Sequence, residues 1–576
     1  MSRASRGVEV VEKVLDTVIR NARIYDGTGR PWFTGQVGVL GEKIEALWRS
    51  PCQVPSREII EGQGLALCPG IIDVHGHSDF TILSHPGADN LVAQGITTQV
   101  VGQCGFSMYA FLSQYVSQVK KTIQVTAGES LEQVDWKSLD EWRQKVQARG
   151  TRVNLVPLIG HNTLRCSVLG PEADVRVELT RGQARDMRHL LHQGLEDGAF
   201  GLSTGLRYPY GRNATTEEVI DLCHCVAQCG GVHMSHLRSE EEYLLPAVHE
   251  LIQISEQTGV PGCASHFKAL FPENWGTPAA GLRALEEARS RGVNVVCDVY
   301  PWTFARQINL GAWFGGPLLT SGERVIRPKA LILSLLQDPI EWRRIKSSLI
   351  DQNAQLEIEN RSRKDRLGSR GIFAPCIWRL EHYDCVTHSP SHGHFEGHTL
   401  GQITRALDLS DPWETMRLLY LADDGFTQVA AGPVSPSDVE SVIRHPLSMF
   451  GTDASSLDTR PSMDDPQVSA HPRAWGTYPK ILGDCVRQRD ILCWEEAIAK
   501  CTSFPASFLG ITDRGLIKPG FWADLVLFDP ASVANRATYA QPAHSPEGIK
   551  IVMVNGQKVW DQGVYRTEHP GRVLSR

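Results

Sequence analysis

The chain has 576 residues, room for roughly three to five domains on length alone, and its 41% hydrophobic and 21% charged residues exclude a disordered or fibrous protein. Its 58 basic and 65 acidic residues leave a formal net charge of −7, which speaks against a nucleic-acid coat or a polybasic membrane anchor. No apolar run approaches the roughly 20 residues of a spanning helix, and the opening MSRASRGVEVVEKVLD has no apolar signal core. The chain therefore reads as cytoplasmic, with neither nucleic acid nor membrane as a partner, and its fourteen cysteines as mostly reduced, buried thiols.

Residues 17–47 contain TVIRNARIYDGTG, QVGVLG and KIEAL, short strands separated by turn glycines. Eight β-branched or apolar runs follow: LCPGIIDVHGH (67–77), TTQVVGQCG (97–105), VNLVPLIGHN (153–162), AFGLSTG (199–205), GVHMSHLR (231–238), PGCASHFK (261–268), NVVCDVYP (294–301) and SMFGTDAS (448–455). Helical stretches lie between most of them. Thr215 or Thr216 is placed to cap a first turn led by Glu217, and Gly150 and Gly292 stop helices after Arg149 and Arg291. Strands alternating with helices predict a parallel sheet, and eight such units predict a closed (β/α)8 barrel. The stretch from about 302 to 447 exceeds an ordinary βα connection and is expected to cover the C-terminal rim of that barrel. Residues 515–562 return to short strands, with Asn555-Gly556 as a type I′ hairpin signal. The expected organisation is a small composite β-sandwich from both ends, 1–66 and 511–576, flanking a barrel at 67–510.

Metal-type side chains recur where these strands end. His75 and His77 are two apart in an extended segment and face the same side. Cys104 follows the second strand between glycines, His236 ends the fifth, His266 the sixth, and Asp453 the eighth. Each alone has an ordinary reading as a packing residue. A barrel, however, brings all six ends to one rim, and imidazole, thiolate and carboxylate together favour zinc over magnesium or calcium. Cys223, Cys225 and Cys229 look like a metal knot but fall within one helix, where adjacent positions diverge. His388, His392, His394 and His398 read as a loop leading into a helix capped near Thr399, and His161 as a residue lining the third strand end.

At these residues the chain resembles the N-acyl-D-amino-acid deacylase (D-aminoacylase) family of the amidohydrolase superfamily. PGIIDVHGHSD, GITTQVVGQCGFS, GLSTGLRYP, SHLRSE, SHFKA, DVYPW, GTDAS, HPRAWGTYPKILG and RGLIKPGFWADLVLFDP occur in the family's order along nearly the whole chain. The resemblance implies one tightly held zinc ion on Cys104, His236 and His266. A second, weak or empty position would lie at His75, His77 and Asp453. It also implies that Asp453 is the catalytic acid/base, that Lys268 and Arg473 hold the substrate carboxylate, and that Tyr208 and Tyr300 line the pocket. The barrel, the sandwich and a mobile lid formed by the insertion are implied as well. The fourth strand has no lysine to bridge two metals, as many superfamily members do, and Cys104 takes that place. Gln103 stands where the family often has Asn, and the segment between Asp453 and Arg473 is longer than the family's form.

The implied reaction is hydrolysis of a small-molecule N-acyl-D-amino acid to a carboxylate and a free D-amino acid. Its handedness rests on the resemblance alone. The rivals are a cyclic amidase of the hydantoinase or dihydroorotase kind and an inactive barrel serving as a binding scaffold.

Overall fold

The computed structural model describes residues 14–111, 134–311, 328–351, 385–458 and 471–576, with Phe314 and Ala354. Eight parallel strands form a ring. In chain order they are Ile71–Asp73, Ile96–Val101, Asn154–Pro157 continued by Ile159–Gly160, Gly201–Gly205, Val232–His236, Gly262–Ala264, Val295–Val299 and Ser448–Phe450. Each pairs with its neighbour in chain order, and the ring closes where Val74 N–H donates to Phe450 O (3.4 Å) and Gly76 bridges Ala454. The strands are buried on both faces, as their continuous apolar runs require. Ile72, Val74, Val100, Val156, Met234, Cys263, Val296 and Met449 fill the interior, joined by Phe508 and Leu509 of the helix Ser503–Leu509.

The outer helices begin and end where their caps dictate. Ser138 and Thr180 form capping boxes with Glu141 and Gln183, and the Thr215 hydroxyl accepts from Glu218 N–H at 3.1 Å. Gly150 and Gly292 stop helices with positive φ of 76° and 90°.

Strands from both chain ends share one nine-stranded sheet, in which Ala66–Pro69 joins Leu15–Ile24 of the first end to Leu525–Phe528 of the second. It curls over its own core of Ile19, Ile24, Val37, Val39, Leu525, Leu527 and Ile551. Asn555 and Gly556, at φ 47° and 79°, make the tight turn between Ile549–Val554 and Gln557–Asp561. The run 67–77, read in the sequence as one strand, is two, parted at Gly70, where a Cβ would collide with the Thr97 side chain. Residues up to Pro69 pair in the terminal sheet and Ile71 onward in the barrel. The C-terminal tail also leaves the terminal sheet, and Arg572 and Leu574 bond to Leu155 of the third barrel strand.

The described part of the insertion is a folded module and not a long loop. Phe304–Asn309, Cys385–His388 and Gln428–Pro433 form an antiparallel sheet. They share a core of Leu310, Phe314, Leu336, Trp342, Val386, Met416 and Tyr420 with the helices Lys329–Gln337 and Pro412–Ala422. Thr399 caps the helix Leu400–Ala406. Pro436–Arg444 already packs on the barrel, so the module returns to it before residue 447. Among the described residues no helix is long and apolar enough to cross a membrane.

Candidate active site

The ten residues to which the resemblance gives a site role gather at the C-terminal rim of the barrel. His236 ends the fifth strand, while His75, Cys104, His266 and Asp453 stand two or three residues beyond their strand ends. Three of these have left-handed backbone: Cys104 (φ 55°), His266 (φ 35°) and Asp453 (φ 51°). A side chain in that region costs about 1–3 kcal/mol and persists only where its surroundings enforce it. Here the turn swings each side chain off its strand and inward over the ring. Gly102 and Gly105, at φ 75° and 82°, flank the thiol loop. Gly205 of the fourth strand is needed for space, because a Cβ there would lie 2.0 Å from Cys104 O.

The side chains converge on one point. Cys104 Sγ lies 3.3 Å from His75 Nε2, 3.4 Å from His266 Nε2 and 3.7 Å from His236 Nδ1. His236 Nδ1 and His266 Nε2 are 2.8 Å apart. His77 Nε2 lies 3.0 Å and His75 Nε2 3.7 Å from Asp453 Oδ1. Cys104, His75, His236 and His266 are buried, whereas His77 and Asp453 keep 19% and 13% of their side chains exposed, which makes theirs the open side.

Burial opposes ionisation of Cys104, yet His75 and His266, with hydrogen bonds from His236 and His266, outweigh it and hold the thiol well below its usual range. Asp453 is likewise held well below the carboxylate range: burial opposes this, and Arg473, whose Nη1 lies 2.9 Å from Oδ2, outweighs it with help from His77. Burial carries His236 down to about 4. The ionised thiol and carboxylate in turn raise His75, His77 and His266 against the pull of burial, so that protons crowd where a cation would sit. A thiolate, a carboxylate and imidazoles within hydrogen-bonding reach of one another are the donors of a soft to borderline cation, zinc before magnesium or calcium. One ligand atom from each of His75, Cys104, His266 and Asp453 falls within 4.8 Å of the others, and the same holds for His236, Glu240 and His266. The residues present fit a metal centre.

Lys268 and Arg473 both lie over the Tyr300 ring, with Nζ at 5.4 Å and the guanidinium carbon at 5.1 Å from its centre. Lys268 pairs closely with Glu240 and also donates to His266 O at 2.8 Å. Arg473 donates to Ala305 O of the insertion at 2.9 Å, and its own N–H to His471 Nδ1 at 3.0 Å. Tyr208 packs its ring 4.4 Å from that of His236.

Three carboxylates escaped the sequence reading. Asp73 accepts from Gln99 Nε2 (2.7 Å), Thr452 N–H (2.8 Å) and Thr452 Oγ (2.6 Å), tying the first strand end to the eighth beside His75 and Asp453. Asp298 faces His75 Nδ1 at 3.4 Å and accepts from His266 N–H at 2.7 Å. Glu240 lies under both His236 and His266. Other residues stay apart. Cys223 and Cys225 ride the helix Thr216–Gln228, and His161 turns to Glu218 at 2.8 Å. His388 pairs with Glu396 at 3.3 Å within the insertion. Gln103 reaches down to Val74 O at 2.8 Å, and residues 459–470 of the longer segment before Arg473 lie outside the described residues. A hollow of about 320 Å³ between two outer helices, walled by Glu178, Glu217 and Asp221, holds none of these donors.

N-acyl-D-aspartate deacylase of Alcaligenes xylosoxydans xylosoxydans is 31% identical over 562 residues, 97% of this chain and 95% of that protein. The chain belongs to the N-acyl-D-amino-acid deacylase family of amidohydrolases. Residues 401–560 also match the broader Amidohydrolase family. The deacylase N-acyl-D-glutamate deacylase of the same organism is 29% identical, over 98% of both chains. The crystal structure of N-acyl-D-glutamate deacylase from Bordetella bronchiseptica is 28% identical. It is complexed with zinc and a phosphonate inhibitor that mimics the reaction's tetrahedral intermediate. It covers 98% of this chain and 100% of its own, with a TM-score of 0.74. This metal-dependent amidohydrolase family thus shares barrel and terminal β-domain with the present chain.

Proposed function

We propose that this protein hydrolyses the amide bond of N-acyl-D-amino acids to a carboxylate and a free D-amino acid, using zinc. One observation carries the reading: an ionised thiol and two imidazoles converge beside an ionised carboxylate at a barrel rim in a chain of this family. Cys104, His236 and His266 would hold the tight zinc ion, and His75, His77 and Asp453 a weaker second one. When bound, zinc supplies Lewis acidity to the amide carbonyl and to the attacking water.

The chain's own residues do the rest. Asp453 starts ionised because Arg473 and His77 hold it so, and therefore acts first as base, taking a proton from the attacking water. The same carboxyl then returns that proton to the departing amine nitrogen as the carbon–nitrogen bond breaks. Arg473 engages Asp453 and Ala305 O through Nη1, so other N–H groups of its five-donor fork are directed at the substrate carboxylate. Lys268 adds a second positive charge beside Tyr300. Tyr208 and Tyr300 close the walls, and the insertion, which supplies Ala305, forms a cover over the open side. Handedness comes from the relatives' substrates.

The test is a hydrolysis panel of N-acetyl derivatives of both enantiomers of aspartate, glutamate, leucine and methionine, with metal analysis of the same sample. Turnover of D-derivatives with about one zinc per chain is expected. Turnover confined to L-derivatives or to cyclic amides overturns the reading.

A further inference from the structure

We infer that Glu240 is a positioning residue that readies both His236 and His266 for the metal, by accepting from their outer nitrogens and drawing Lys268 away from His266. The inference rests on the zinc site proposed above.

Glu240 lies four residues past His236 and is 5% exposed. Its backbone oxygen accepts from Leu270 N–H at 2.7 Å, which fixes the loop beyond the sixth strand against it. Oε1 lies 3.0 Å from His266 Nδ1 and also takes the Lys268 ammonium. Oε2 lies 3.2 Å from Arg207 Nη1 and 3.5 Å from His236 Nε2. His236 Nε2 makes no hydrogen bond among the described residues, and the Glu240 carboxylate is the acceptor that faces it. One carboxylate therefore faces the outer nitrogen of both rings, while the inner nitrogens face Cys104.

A neutral imidazole has one N–H and one lone pair. For both inner nitrogens to offer lone pairs to a cation, both protons must sit on the outer nitrogens, where a carboxylate, which only accepts, can receive them. His266 has a competitor. Lys268 Nζ is 3.0 Å from His266 Nδ1, and an ammonium group only donates. Were Lys268 to donate there, the ring proton would move to Nε2, toward Cys104, and the ligand lone pair would be lost. Glu240 prevents this by capturing the ammonium, with His266 O as the second acceptor. Arg207 steadies the far oxygen, so the carboxylate stays aimed between the two rings. The arrangement also couples the two halves of the site, since the lysine expected to meet substrate and the histidines expected to hold zinc share one acceptor.

Zinc affinity measured by competition with a chromophoric chelator decides it, on the full-length protein and on Glu240→Gln, Lys268→Met and the double variant, with melting curves for each. Glu240→Gln is expected to lose about 10–100-fold in zinc affinity. Lys268→Met is expected to keep the wild-type value, and the double variant to recover most of the loss although turnover stays low. That recovery is what a merely structural role would not give. Unchanged affinity in Glu240→Gln, or a double variant as weak as the single one, overturns the inference. Where the Gln variant does not fold, Glu240→Asp keeps the charge pair but shortens the reach, and wild-type affinity there overturns it equally. Wild-type protein that takes up no zinc overturns the functional reading and this inference together.

Discussion

The two ends of the eighth barrel strand treat burial in opposite ways. At its start, Lys500 is buried but satisfied, donating to Ile443 O (2.7 Å), His445 O (2.6 Å) and Ser448 Oγ (3.1 Å). Cys297 and Cys501 on that side have thiols that burial pushes up and out of reach of ionisation. Beyond the strand's other end, Asp453 sits on left-handed backbone among ionised and histidine partners, and Cys104, buried like Cys297, is held well below its usual range. Burial alone makes a thiol inert; burial beside imidazoles turned toward it makes a ligand. At the rim, Cys104, His266 and Asp453 take left-handed backbone, and His236 Nε2 makes no hydrogen bond among the described residues.

The sharpest break of that contrast is a pair of cysteine variants. Cys104→Ala is expected to abolish both zinc retention and measurable hydrolysis, whereas Cys297→Ala leaves turnover and zinc near wild type. Metal analysis with steady-state kinetics checks both, and equal effects from the two would erase the distinction. Next, Asp453→Asn is expected to lower kcat by about 10²–10⁴, the usual contribution of a general acid/base, while the tight zinc ion stays bound. Lys268→Met should act chiefly on KM: a charge-assisted hydrogen bond is worth about 1.5–3 kcal/mol, which corresponds to roughly 10–100-fold. A kinetic comparison showing a fall confined to kcat would move Lys268 from substrate binding to chemistry.

The smallest effect belongs to the floor. Burial holds Lys500 at about 8 against its usual 10.5. The unfolded chain then binds more protons than the folded one between those values, so this group's contribution to stability rises as pH climbs from 8 to 10.5. Lys500→Met should remove that rise from the difference between melting curves taken at pH 7.5, 9 and 10.5. A variant that rises in step with wild type would show that the carbonyls around Lys500 keep it charged.

The legible part of this molecule was the part written in single residues at strand ends. His75, His77, Cys104, His236, His266 and Asp453 each follow a β-branched run, and a parallel barrel can only send such ends to one rim. Glu240 was hidden because SEEE reads as a solvated acidic turn, and only the fold of the sixth strand's loop places Lys268 and His266 over it. Asp298 lies inside a strand, where a lone carboxylate gives no spacing signal, and nothing in the local sequence around Asp73 reports its long-range clasp on Thr452. The break at Gly70 was missed because apolar residues on both sides keep the same pattern while pairing in different sheets. The insertion looked like a loop because its strands lie far apart in sequence, so their pairing is a long-range contact that local pattern does not report.

The most direct test of the account is to strip the metal from the protein and titrate zinc back while following hydrolysis of an N-acetyl-D-amino acid. The account predicts no turnover without metal, activity rising in proportion up to one zinc per chain, and no further rise beyond it. Full turnover in metal-free protein, or none at any zinc level with any D-substrate of the panel, would contradict it.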